Sequence, residues 1–96
     1  MNRFRGEAIP IAILGYTGIV KGVYRITIHD GAIHEELEYR NRQWYYNAGK
    51  KDIPVDHDTM DNILITWYTR FDNGNGTCEI IIRRYDSFSP VIKYKN

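Results

Sequence analysis

The step Asp30-Gly31, set between two alternating runs, constrains this chain more than any other feature. Asp-Gly is a favoured two-residue hairpin turn, because both central positions of that turn take positive φ. Before it, Tyr24, Ile26 and Ile28 share one face; after it, Ile33, Leu37 and Tyr39 do. A loop made of Asp30 and Gly31 predicts a register with Ile28 opposite Ile33, Tyr24 opposite Leu37, Arg25 opposite Glu36 and Thr27 opposite His34. Apolar pairs and opposite charges then coincide, which is what a hairpin requires. Glu35 is the exception, falling on the apolar face opposite Ile26.

That exception keeps open a helix over residues 32–48. Asp30 would cap it, Glu36–Arg40 and Glu38–Arg42 would pair at i,i+4, and Gly49 would end it. Its apolar face would be thin, however, and Trp44-Tyr45-Tyr46 favours a strand. The preferred reading therefore turns at Asn41-Arg42 into a strand Gln43–Tyr46.

A second hairpin is expected around Asp72–Gly76. Its first arm puts Ile63, Ile65, Trp67 and Phe71 on one side and Thr66, Tyr68 and Arg70 on the other. Its second arm, Thr77–Tyr85, contains Ile80-Ile81-Ile82, a run that implies burial on both faces of a central strand. Ala8–Leu14 reads as an edge strand broken by Pro10, and Val91–Tyr94 as a final strand. The acidic stretch between Lys50 and Asn62 reads as a loop in which Asp58 caps one helical turn.

These pieces predict an all-β, predominantly antiparallel fold: a small barrel or two-sheet sandwich of about six to seven short strands. The alternative is α+β with one helix at about 32–48. The 96 residues imply one domain over 1–96. Surface scaling gives a buried fraction of roughly 65%, enough to fold without staples. The single Cys excludes an internal disulfide and a multi-thiolate zinc site, and suits a reducing, cytoplasmic setting. No run approaches the ~18 apolar residues of a membrane span, and no secretory leader is expected.

The chemistry-bearing residues are scattered. Asp56-His57-Asp58 is the densest titratable cluster, but neighbours on an extended chain point to opposite sides, so it offers two metal ligands at most. His29 and His34 are expected on opposite faces of the hairpin tip. Cys78 lacks a second thiol and reads as a small core residue. Gly15–Gly22 contains Lys21, but Gly rather than Ser or Thr follows the lysine, so a turn is expected in place of a phosphate loop. Neither metal nor cofactor is expected, and no family resemblance is evident.

Thirteen basic against 12 acidic side chains give a net charge of +1, which disfavours a whole-surface nucleic-acid footprint. The eight Tyr, three Phe and two Trp are more than so small a core can enclose. Tyrosine and arginine dominate binding hot spots, so the expected contact consists of Arg40, Arg42, Tyr45, Tyr68, Arg70, Arg83, Arg84 and Tyr85. The function expected is non-enzymatic: protein–protein contact as an inhibitor or adaptor, such as a phage or accessory gene cluster would encode. A nucleic-acid or nucleotide-binding module using the same groups is the alternative. A small ribonuclease-like enzyme is third, since it needs a base, an acid and a cation converging in one cleft.

Overall fold

Turn chemistry shapes the first half of the sheet. Strand β1 (Val23–Asp30) leads into β2 (Ile33–Arg40) through Gly31 and Ala32. Only Gly31 has positive φ (63°) there, so the loop is of the kind that needs glycine at its first central position alone. The register therefore differs from the one predicted: Ile26 pairs with Leu37, Ile28 with Glu35, Thr27 with Glu36 and His29 with His34. Asp30 stays in the strand, where its Oδ1 accepts a hydrogen bond from Thr77 Oγ1 at 2.8 Å. The slip is an even number of residues across the pair, so the alternation of side chains between the two faces is unchanged.

Strand β2 turns into β3 (Gln43–Asn47) at Asn41 and Arg42, with φ of 53° and 63°. Both central residues are left-handed, as that two-residue turn demands. Residues 32–48 are thus strand, turn and strand, and the helical alternative for them is excluded. The computed structural model describes residues 22–85 and 91–96; the readings of Ala8–Leu14 and of 15–21 lie outside the described residues.

After the short β4 (Ile53–Val55) comes helix α1 (His57–Asp72), then β5 (Cys78–Arg84) and β6 (Val91–Lys95). The strands form one six-stranded sheet in the order β4-β3-β2-β1-β5-β6, every neighbouring pair antiparallel. Among the described residues the fold is predominantly antiparallel β with one helix, and that helix, not a second sheet, packs on the core. Ile80-Ile81-Ile82 does lie in an interior strand, with Ile80 and Ile82 buried under the helix and Ile81 half-buried on the other side.

Helix α1 occupies the segment read as the first arm of a second hairpin. Its buried residues are Met60, Leu64, Trp67 and Phe71, spaced four, three and four apart, whereas Ile65 is 50% exposed. That spacing is a helical stripe. Asp56, rather than Asp58, is the N-cap, accepting from the Thr59 backbone N–H at 2.8 Å. The β-branched Ile63, Ile65, Thr66 and Thr69 oppose the helix by only a few tenths of a kcal/mol each. Burying Trp67 and Phe71 yields about 1.5–3 kcal/mol apiece. Burial wins, and the conformation follows the stripe.

The expected Asp72–Gly76 hairpin is instead the loop from α1 to β5. Here Gly74 N–H donates to Phe71 O at 3.1 Å, and a Cβ at Gly74 would run into the Asn96 carbonyl. Asn96 exchanges backbone hydrogen bonds with Cys78 (2.8 and 3.0 Å), and its Nδ2 donates to Phe71 O at 2.7 Å. The end of the chain thereby fastens the helix terminus to β5. Among the described residues no helix is long and apolar enough to cross a membrane.

Candidate interaction face

Alternation along the strands sorts side chains between two faces. Ile26, Ile28, Leu37, Trp44, Ile80 and Ile82 meet α1 in the core. Arg25, Thr27 and His29 of β1 point the other way, as do their partners Glu38, Glu36 and His34 of β2. Glu79, Ile81 and Arg83 extend this second face across β5, and Tyr45 extends it across β3.

An ion-pair ladder crosses this second face. Arg25 reaches Glu36 through Nε and Glu38 through Nη2, each at 3.1 Å. Arg40 Nη2 lies 2.6 Å from Asp52, its Nε lies 3.9 Å from Glu38, and its guanidinium sits 3.9 Å from the centroid of the Tyr45 ring. The hydrogen bond to Glu38 holds the Arg25 guanidinium more firmly protonated than usual; burial opposes this, and the charges of Glu36 and Glu38 reinforce it. Asp52 is held below its ordinary carboxylate range, first by the hydrogen bond from Asn47 and then by Arg40. Exposed pairs of this kind contribute about 1 kcal/mol or less each, so the ladder orients side chains more than it stabilises the fold.

Beside the ladder is a shallow groove of about 370 Å³, with Thr27 and Ile81 between Arg25 and Arg83 at one end and His29 and His34 at the other. The two imidazoles touch edge to face, ring centroids 4.3 Å apart. They share a face, contrary to expectation, because strand parity puts residues 27 and 29 with 34 and 36 in either register, and the Gly31-Ala32 loop sets the two directly opposite one another. Among the described residues no group of three or more His, Cys, Asp or Glu is arranged to hold a metal ion.

The expected contact residues divide between the two sides of the molecule. Arg40, Tyr45 and Arg83 lie, half-buried, on the second face, turned away from α1. Tyr68 and Arg70 lie on α1, on the opposite side of the sheet; Tyr68 is half-buried against the core and Arg70 is 3.7 Å from Asp30. Their expected common outward face came from strand alternation, which a helix does not follow. Arg42 is exposed in the β2–β3 turn, and Arg84 closes β5 opposite Val23. Tyr85 is 72% exposed, its ring stacked on Tyr24 at 4.8 Å. Sequence reasoning missed Arg25, His29, His34, Glu36 and Glu79 as a group. Their shared parity in the first hairpin was the available signal, and only the strand order adds Glu79.

A wider hollow of about 660 Å³ lies between the end of α1 and the loop before β5. Its charged groups, Asp30 and Arg70, already face each other, and Thr77 donates to Asp30. Cys78 is buried beneath it; burial, and then Asp30, raise its thiol above the ordinary range, as suits a core residue. Asp56-His57-Asp58 begins the helix, where Asp56 is spent on capping. The chain matches no family model, and no curated protein or solved structure matches it significantly.

Proposed function

We propose that the chain is a non-catalytic protein-binding module, an inhibitor or adaptor, whose contact is the face of the sheet turned away from α1. The observation that carries this reading is the interleaving of half-buried Arg25, Arg40 and Arg83 with Glu36, Glu38 and Glu79 on one face of the sheet. Carboxylates at that density repel a phosphate backbone, which weighs against the nucleic-acid reading. A protein surface with complementary charges can instead be held in one register. Tyr45, beneath the Arg40 guanidinium, supplies an area-rich anchor of the kind that dominates protein interfaces. The unpaired Cys78 accords with a cytoplasmic setting.

The test is affinity capture with parent, Tyr45→Ala and Arg83→Glu chains, with nucleic acid digested in a parallel arm. Each variant should weaken the captured complex by about tenfold or more, equivalent to roughly 1.4 kcal/mol, while melting within a few degrees of the parent. A complex that survives both substitutions lies elsewhere on the molecule. One that disappears with digestion restores the nucleic-acid reading.

A further inference from the structure

Among the described residues the helix side of the sheet carries the carboxylates Asp30 and Glu35, and Asp30 faces Arg70. Glu35 lies on the helix side of β2, where the sequence alternation calls for an apolar residue. Its Oε1 accepts a hydrogen bond from Nε1 of the buried Trp67 at 2.9 Å. The Tyr46 hydroxyl lies near it, and burial, then Glu35, push that phenol up to about 12. The Trp67 donor holds the carboxyl in place. Its neighbours Glu36 and Glu38 both pair with Arg25, but Glu35 has no ion-pair partner among the described residues.

Glu35 lines a cavity of about 300 Å³ between β2, β3 and α1, together with Tyr46 and Trp67. The helix side of that cavity carries Thr59, Asn62 and Thr66, a polar wall on an otherwise apolar interior. A half-buried carboxylate without a countercharge is costly, and a fixed one beside two aromatic side chains matches what recognises an organic cation. We infer that this cavity binds an organic ammonium group, with Glu35, held by the Trp67 N–H, as its counterion and Tyr46 as the aromatic side chain beside it. Lys50 and Lys51 line an adjoining hollow on another side of Tyr46, so a monocation fits better than a polyamine. The site is on the opposite side of the sheet from the proposed protein contact and does not depend on it.

The Trp67 indole N–H, bonded to Glu35, is a built-in reporter by NMR. Titration with n-butylammonium chloride should shift that resonance saturably, whereas n-butanol and sodium chloride at equal concentration should not. Capped lysine, Nα-acetyl-lysine methylamide, separates the sources: if it binds as well, a partner's lysine side chain fits the site, and if only butylammonium binds, the ligand is a free amine. Glu35→Gln keeps a carbonyl for Trp67 and removes the charge, and should weaken binding about tenfold or more. Should that variant fail to fold, Asn62→Trp places bulk on the exposed side of the helix and should block the cavity instead. The inference is overturned if the parent shows no saturable shift with either ammonium probe. It is equally overturned if butanol binds as well as butylammonium, or if a folded variant binds like the parent.

Discussion

Glu35 and its neighbours Glu36 and Glu38 belong to one strand but live under different physics. Glu36 and Glu38 look away from the helix into a ladder of arginines, where solvent screens each contact. Glu35 looks toward the helix, where the buried Trp67 N–H donates to it. The same contrast holds for the two faces as wholes. The helix-side face stores the stability of the fold; the second face carries charge in an ordered pattern that stability does not require.

The largest effect that could break this contrast is at Trp67. Trp67→Ala should cost about 3–5 kcal/mol, a large part of the stability of so small a protein, and urea unfolding would show it directly. Adjacent positions in β5 sharpen the comparison. Ile80→Ala should cost about 2–5 kcal/mol, whereas Ile81→Thr, on the other face, should cost about 1 kcal/mol or less. Equal costs would mean that the second face is also a core.

Alkaline titration probes the helix-side face differently. Tyr46 titrates near 12 against an ordinary 10.0. The folded state therefore holds its proton where the unfolded chain releases it. The stabilisation is complete below pH 10 and is lost as pH rises toward 12. Tyr46→Phe should flatten that loss in a stability-versus-pH series, and absorbance at alkaline pH should show one phenol ionising late.

Two smaller effects belong to the second face and its turns. Arg42 has a φ of 63°, a conformation that costs a side chain roughly 1–2 kcal/mol and glycine nothing. After the extra chain entropy of glycine, Arg42→Gly should stabilise by about 0.5–1 kcal/mol, a rise of a few degrees in Tm. Arg25→Gln should cost about 1 kcal/mol or less, and the difference from the parent should shrink with added salt. A larger, salt-insensitive loss would place the ladder in the core's energetics after all.

The first hairpin was legible almost residue by residue, because strand parity and turn chemistry are local. Even so, the loop is Gly31-Ala32 and not Asp30-Gly31, and Asp30 in the strand pairs with Cys78 and accepts from Thr77, 47 residues away. The candidate face was legible only in part. Arg40, Tyr45 and Arg83 could be picked by composition, but their neighbours could not, because β5 joins β1 only through tertiary pairing. Tyr68 and Arg70 were placed on that face by a period of two, and the helix removed them.

By itself the sequence determined that this is an antiparallel, strand-rich chain, with an Asn41-Arg42 turn, a buried Trp67 and a buried Cys78. These follow from short-range rules: alternation, turn residues and the cost of exposing apolar bulk. Only the tertiary structure decided that residues 57–72 are helical, that Glu35 faces Trp67, and that β5 lies beside β1. In the segment ending at Phe71, Ile63, Ile65 and Trp67 fit a strand as well as Met60, Leu64 and Trp67 fit a helix. The surface available for burial chooses between them. A sheet with one bare apolar face accepts the Met60–Leu64–Trp67–Phe71 stripe whole, and the energy of that burial exceeds the local preference it overrides.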